Sequence, residues 1–212
     1  NGVTSIGSYA FYYCESLTSI TIPNSVTHIG GDAFYGTPWY NNLSDGLVYI
    51  GKVLYGYKGT MPANTNIDVK DETTCISGGA FFDCSGLTSI IIPNSVTSIN
   101  DYTFSGCSSL TSITIPENLT SIGYRAFAGC SSLTSITIPI SITNFGKEVF
   151  EECSSLHTVC WNAKYCSSFA SNYDYDKPFY HIASQITSFT FGDSVEYIPS
   201  HLCCRMSSLT SI

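Results

Sequence analysis

Apolar residues recur along this chain every 23 residues, and within each interval they occupy the same places. The stretch from Leu110 serves as a template. Leu110, Ile113 and Ile115 stand among Thr and Ser, Pro116 follows, then Leu119, Ile122 and Gly123, then Ala126-Phe127 and Cys130 before Leu133 begins the pattern again. The alternation of Ile113, Thr114 and Ile115 is the period of a strand that turns Ile inward and sends Ser112 and Thr114 outward. Pro116 has no amide donor and ends that strand, and residues 119–122 make a second short extended run. A column of Phe11, Phe34, Phe81, Phe104, Phe127 and Phe150 marks a third side, a short helical or 3₁₀ turn. The column at Gly7, Gly30, Ser77, Asn100, Gly123 and Gly146 is rich in the residues that reach positive φ most cheaply, which predicts left-handed backbone there, with Pro199 forcing its own coil to turn differently. A unit of this length cannot bury its apolar side alone and stacks on its neighbours, so residues 1–212 read as one strand-rich solenoid.

Two intervals break the period. From Leu17 to Asn64 the spacing is 47 residues, twice the period plus one. There Leu47–Ile50 and Val53–Tyr55 flank Gly51-Lys52, a two-residue loop suited to a type II′ β-hairpin, and residues 41–63 are assigned as a hairpin insertion. From Leu156 to Ile186 the spacing is 30 residues, seven too many, which predicts a looped insertion at about residues 161–185. Both insertions are aromatic, with Trp39, Tyr40, Tyr49, Tyr55 and Tyr57 in or beside the first and Trp161, Tyr165, Phe169, Tyr173, Tyr175, Phe179 and Tyr180 in the second. Such rings either dominate an interface or plug a solenoid where a regular coil is missing, and both readings stand. The chain starts and stops inside a repeat, at Asn1–Gly7 and Leu209–Ile212. A fragment of a longer array is therefore expected, monomeric but able to stack end to end through uncapped strand edges.

The string Leu-Thr-Ser-Ile-x-Ile-Pro, Val/Leu-Thr-Ser-Ile, Ala/Thr-Phe and Cys-Ser-Ser, running through the coils at Leu87 and Leu110, resembles the repeat of the BspA-like leucine-rich repeat proteins of the treponemal class. The segments Thr37–Gly46 and Phe191–Cys204 are similar to variant units of that family, whereas Lys70 and Asn162 stand where its Pro is expected. The resemblance implies an α/β, right-handed leucine-rich-repeat solenoid with parallel strands on the concave side. It also implies a secreted or cell-surface location and, for some relatives, binding to host matrix proteins or other cells.

Composition narrows the function classes. Charged residues make up 11% of the chain and the net charge is −8, so there is no basic footprint for nucleic acid. No apolar run approaches a bilayer span, and no membrane insertion is expected. Of ten cysteines, Cys14, Cys84, Cys107, Cys130 and Cys153 share one column and read as a row of small buried hydrophobes, with no zinc spacing among them. Cys75, Cys160, Cys166, Cys203 and Cys204 lie off that column, and one disulfide among them is left open, though not the vicinal pair. His28, His157, His181 and His201 sit in different coils without a recurring acidic or nucleophilic partner. No catalytic motif is present, so no enzyme, cofactor or metal is assigned. Asn172, Asp174 and Asp176 alternate as in a calcium loop but lack its glycine and closing Glu, which favours a solvated loop. The candidate binding surface is Ser112, Thr114, Ser135 and Thr137 on the outward strand face, together with Trp161, Tyr173, Tyr175 and Tyr180. The Ser/Thr face serves equally as a solubilising ladder. The leading function is a non-enzymatic, adhesin-like scaffold for a protein or glycan on host or microbial surfaces. A passive spacer between flanking domains and a carbohydrate-binding module reading sugars through Trp39 or Trp161 are the alternatives.

Overall fold

The computed structural model describes residues 2–166, 169 and 177–212. The chain winds as a strand-rich solenoid in which the central coils contribute a front strand, a shorter back strand and a turn-rich third side, while the coil at Leu17 has only the back strand and the coil at Ile186 only the front strand. Front strands pair in parallel at the repeat spacing, as in Ser89 with Ser112, Ile90 with Ile113 and Ile136 with Val159, and across the longer interval Val159 pairs with Phe189. The back strands Cys75–Ile76, Ser98–Ile99, Ser121–Ile122 and Asn144–Phe145 lie side by side in a six-stranded sheet, for example Ile122 with Ile99 and Phe145.

On the third side the phenylalanines stack almost coplanar, one coil on the next. Phe81 and Phe104 are 5.5 Å apart with rings 6° from parallel, and Phe104 and Phe127 are 5.4 Å apart at 12°. The cysteine column runs beside them. Cys107, Cys130 and Cys153 each donate a thiol hydrogen bond to the carbonyl of the Phe in the preceding coil, Phe81, Phe104 and Phe127. Cys14 departs from the expected inward row and is exposed.

The predicted left-handed column is displaced. Positive φ occurs two residues after it, at Tyr9, Asp32, Gly79, Tyr102, Arg125, Glu148 and His201, and again six residues after it, at Tyr13, Gly36, Asp83, Gly106, Gly129, Glu152 and Arg205. The glycines of the predicted column answer a different constraint, the close approach of backbones between coils. A Cβ on Gly146 would lie 2.3 Å from the carbonyl carbon of Gly123, and one on Gly123 would lie 2.6 Å from the amide of Asp101. Ser77 and Asn100, in the same column, each turn a side chain onto a neighbouring coil and donate to the carbonyls of Ile29 and Ile76 at 2.6 Å.

The hairpin forms as read: Gly46–Ile50 pairs antiparallel with Val53–Lys58, and Gly51 has φ 59° as a type II′ turn requires. Its second strand enters the back sheet, Val53 against Cys75 and Leu54 against Ile76. A short helix, Pro38–Asn41, begins the displaced unit, capped by Thr37, whose hydroxyl accepts from the Tyr40 amide at 3.1 Å. Most aromatic residues of this insertion turn into the core. Tyr55 is buried and its hydroxyl accepts from the Phe34 amide at 2.9 Å, and Trp39 packs edge-on to Phe34 at 4.9 Å.

Two predictions follow from this packing. Phe127→Ala opens a cavity in the ring stack and is expected to cost about 3–5 kcal/mol in urea unfolding. Gly146→Ala forces two coils apart and is expected to destabilise by more than about 1 kcal/mol. Gly7→Ala, where a Cβ meets nothing within 4 Å, should stay within roughly 0.5 kcal/mol of the parent; equal losses at both glycines would refute the close-approach account.

Candidate binding surface

The outward hydroxyls of the front strands are placed by the strand period. Ser112, Thr114, Ser135 and Thr137 are all exposed, and none of the four side chains hydrogen-bonds to the described protein. Elsewhere the hydroxyl rows are satisfied between coils, as when Thr111 donates to the Thr88 carbonyl at 3.2 Å and Ser89 to the Asn66 side chain at 2.5 Å. The four candidates lie together because the front sheet is interrupted between them. One three-stranded sheet runs through Thr65–Asp68, Leu87–Ile91 and Ser112–Thr114, and a second through Ser135–Ile138, Thr158–Trp161 and Ser188–Phe191. An opening of about 290 Å³ separates them, lined by all four candidates and by Ile113, Ile115 and Glu117.

The aromatic candidates part company. Trp161 is wholly buried, so its assignment to a binding surface is corrected. It ends the strand Thr158–Trp161 and pairs with Ile138 and Phe191, the position of the inward Ile in other coils, and its 23-residue spacing from Ile138 was the signal for that. Phe179, from the same insertion, is buried and stacks on Phe150 at 5.1 Å and 12°, continuing the phenylalanine column across the seven extra residues. Tyr180 is half-buried, and its hydroxyl accepts from Arg205 at 2.9 Å. Tyr173 and Tyr175 lie outside the described residues, as do Asn172, Asp174 and Asp176 of the calcium-like loop. Trp39 is half-buried and packs edge-on to Phe34, whereas Trp161 offers no open face for a sugar to stack on.

A cluster not identified from the sequence lies on the third side of the first coils. Tyr9, Tyr12, Tyr13 and Tyr35 are 43–61% exposed and touch one another ring to ring at 4.7–5.7 Å. Tyr12 and Tyr35 directly follow Phe11 and Phe34 of the phenylalanine column, a position that is also exposed at Phe82 but buried at Ala128. Tyr9 and Tyr13 occupy the two left-handed positions, with φ of 61° and 53°. Other coils fill these positions with glycine, as at Gly79, Gly36, Gly106 and Gly129, or with other residues in the same left-handed backbone, as at Asp32, Tyr102, Arg125 and Glu152. Beside Tyr9 lies an open groove of about 500 Å³ bordered by Asp32, Phe82, Asp101 and Tyr102. Burial raises the pKa of the Asp32 carboxyl in this region.

Burial holds the column thiols in their protonated form. Burial pushes Cys84 up to about 11 and Cys153 up to about 12, and carries Cys107 and Cys130 well above the ordinary thiol range. Cys75 is also raised by burial, and its sulfur lies 3.2 Å from Nδ1 of His28. No disulfide joins Cys75, Cys160, Cys203 or Cys204. Among the described residues no three His, Cys, Asp or Glu side chains gather as a metal site, and no helix is long and apolar enough to cross a membrane.

A family model described as BspA type leucine rich repeat region matches residues 1–58 and 74–210 in six copies. The fold is similar to that of a leucine rich cell surface protein from Faecalibacterium prausnitzii A2-165, at 25% identity and a TM-score of 0.62, over 90% of this chain and 52% of that one. It is also similar to the pneumococcal vaccine antigen PcpA, at 19% identity and a TM-score of 0.56, over 91% of this chain and 47% of that one. The chain thus spans about half the length of these two structures. No curated protein matches it in sequence.

The thiol column makes stability pH-dependent. A thiol whose folded pKa lies above its unfolded value of about 8.5 stabilises fully below that value and loses its contribution as pH rises through the folded one. With Cys84 near 11 and Cys153 near 12, the urea midpoint in reductant is expected to fall progressively from about pH 9 upward. Replacing Cys84 and Cys153 by Ala should make the profile shallower, and an unchanged slope would contradict the assignment.

Proposed function

We propose, from the premise that the chain belongs to the BspA-type leucine-rich repeat family, that it works as a non-enzymatic interaction scaffold at a cell surface or in secreted form, holding a protein partner against its outer faces. The observation that carries this reading is the exposed tyrosine cluster. The four rings stay 43–61% exposed and lie against one another outside the buried core. Tyrosine supplies much contact area with few rotatable bonds and a hydroxyl that bonds at a wet rim, the chemistry of an interface anchor. Solenoids commonly present such surfaces rather than catalytic clefts, and the cell-surface protein from Faecalibacterium supports the location.

The front hydroxyl face, Ser112, Thr114, Ser135 and Thr137, is a second contact surface in this proposal, and Tyr173, Tyr175 and Tyr180 remain candidates for a third. The test is a binding screen of the whole chain against extracellular matrix proteins, mucins and glycans, run beside a variant with Tyr9, Tyr12, Tyr13 and Tyr35 replaced by Ser. Saturable binding to a protein, weakened at least tenfold in a variant with unchanged circular dichroism, is the expected outcome. Binding that survives the four substitutions would remove the cluster, and no binding at micromolar concentration would leave a passive spacer as the better reading.

A further inference from the structure

Resting on the front face as a contact surface, we propose that the break in the front sheet is a docking slot for an extended segment of a protein partner, added as a strand between Ser112–Thr114 and Ser135–Ile138. Intact neighbours show which backbone groups are left over. Ile92 donates forward to the Thr114 carbonyl at 3.4 Å and Phe189 to the Ser211 carbonyl at 3.2 Å. Thr158 and Ser188 donate back to the carbonyls of Thr134 and His157 at 3.3 and 3.2 Å. The equivalent groups at the break are the amides of Ile113 and Ile115, facing forward, and of Ser135, facing back. No backbone bond joins residues 111–115 to residues 134–138. Two strand edges with free donors and acceptors therefore face each other, the arrangement that peptide recognition by strand addition requires.

The slot is confined to the front. Behind it the same two coils are joined, Ser121 pairing with Asn144, Phe127 donating to Val149 at 3.0 Å and Gly129 to Glu151 at 2.7 Å. Both ends are pinned as well, because Ser131 donates to the Ser108 carbonyl at 3.3 Å and Ser141 to the Leu119 carbonyl. At ordinary strand and sheet spacings an added strand fills roughly 160 Å³ per residue, so the 290 Å³ opening takes a short stretch whose flanks leave toward solvent. Its lining selects the occupant. Ile113 and Ile115 are half-buried, whereas Ile90, Ile92, Ile136 and Ile138, their counterparts in the adjoining coils, are buried. A β-branched apolar residue pointing inward would complete their burial. The outward neighbours are small hydroxyls, and Glu117 is the one charged group in the lining, which favours a neutral, Ser/Thr-bearing segment over an acidic one.

The experiment uses the whole chain and an acetylated, amidated Thr-Ser-Ile-Thr-Ile peptide, with an analogue N-methylated at alternate amides, read by residue-resolved hydrogen exchange. In the free protein the amides of Ile113, Ile115 and Ser135 should exchange at least tenfold faster than those of Ile92 and Thr158. The peptide should slow them at least tenfold, and the methylated analogue should not. Slow exchange in the free protein would mean the slot is closed, and protection that is absent, or equal with the analogue, would also overturn the proposal. The scaffold reading is judged apart from this. A partner from the screen that binds while these amides stay unprotected sinks the slot alone, whereas peptide protection without any tyrosine-dependent partner sinks the tyrosine cluster alone.

Discussion

Backbone hydrogen bonding between coils, repeated every 23 residues, is the constraint from which the rest of the structure follows. A strand must satisfy its amides and carbonyls, and a chain of this period meets that need only by laying each turn on the one before. Once the register is set, like residues stack on like: phenylalanine rings lie nearly parallel about 5.5 Å apart, and the thiols of Cys107, Cys130 and Cys153 each reach a carbonyl one coil back. The same stacking brings bare backbone against backbone at Gly123 and Gly146, where a side chain has no room.

Where the ladder is disturbed, the molecule spends its aromatic residues. The hairpin replaces a coil by lending its strand Val53–Lys58 to the back sheet, and Tyr55 and Trp39 fill the space around Phe34. In the second insertion Trp161 keeps the inward place of an Ile and Phe179 takes the next rung of the phenylalanine stack. These rings serve as plugs. The exposed rings that touch one another belong to regular coils, at Tyr9, Tyr12, Tyr13 and Tyr35, and the open backbone edges lie between two coils whose sequences are nearly identical to their neighbours.

The candidate surfaces lie at places where the periodic pattern is kept but its usual consequence fails. Tyr9, Tyr12, Tyr13 and Tyr35 leave large rings exposed beside the phenylalanine stack, and Ile113 and Ile115 carry inward side chains that their neighbours do not fully cover. Both surfaces are neutral or weakly acidic, in keeping with a chain of net charge −8 that has few cations with which to capture an anionic partner.

The sequence by itself determined the solenoid, its period, the inward Ile and Phe columns, the outward Ser112, Thr114, Ser135 and Thr137, and the hairpin at Gly51-Lys52. Each of these depends on spacing along one chain, which side-chain alternation and turn chemistry make legible. Tertiary structure alone decided which glycines relieve strain and which permit close approach, since φ and the distance to the next coil are separate quantities that both select glycine. It also decided between the two uses of Trp161, whose 23-residue spacing from Ile138 points inward while its place beside an insertion suits either a plug or a protruding ring. The break in the front sheet belongs there too: the coils at Leu110 and Leu133 carry almost the same residues as those that pair, and whether two strands close on each other is settled by the packing of all three sides at once.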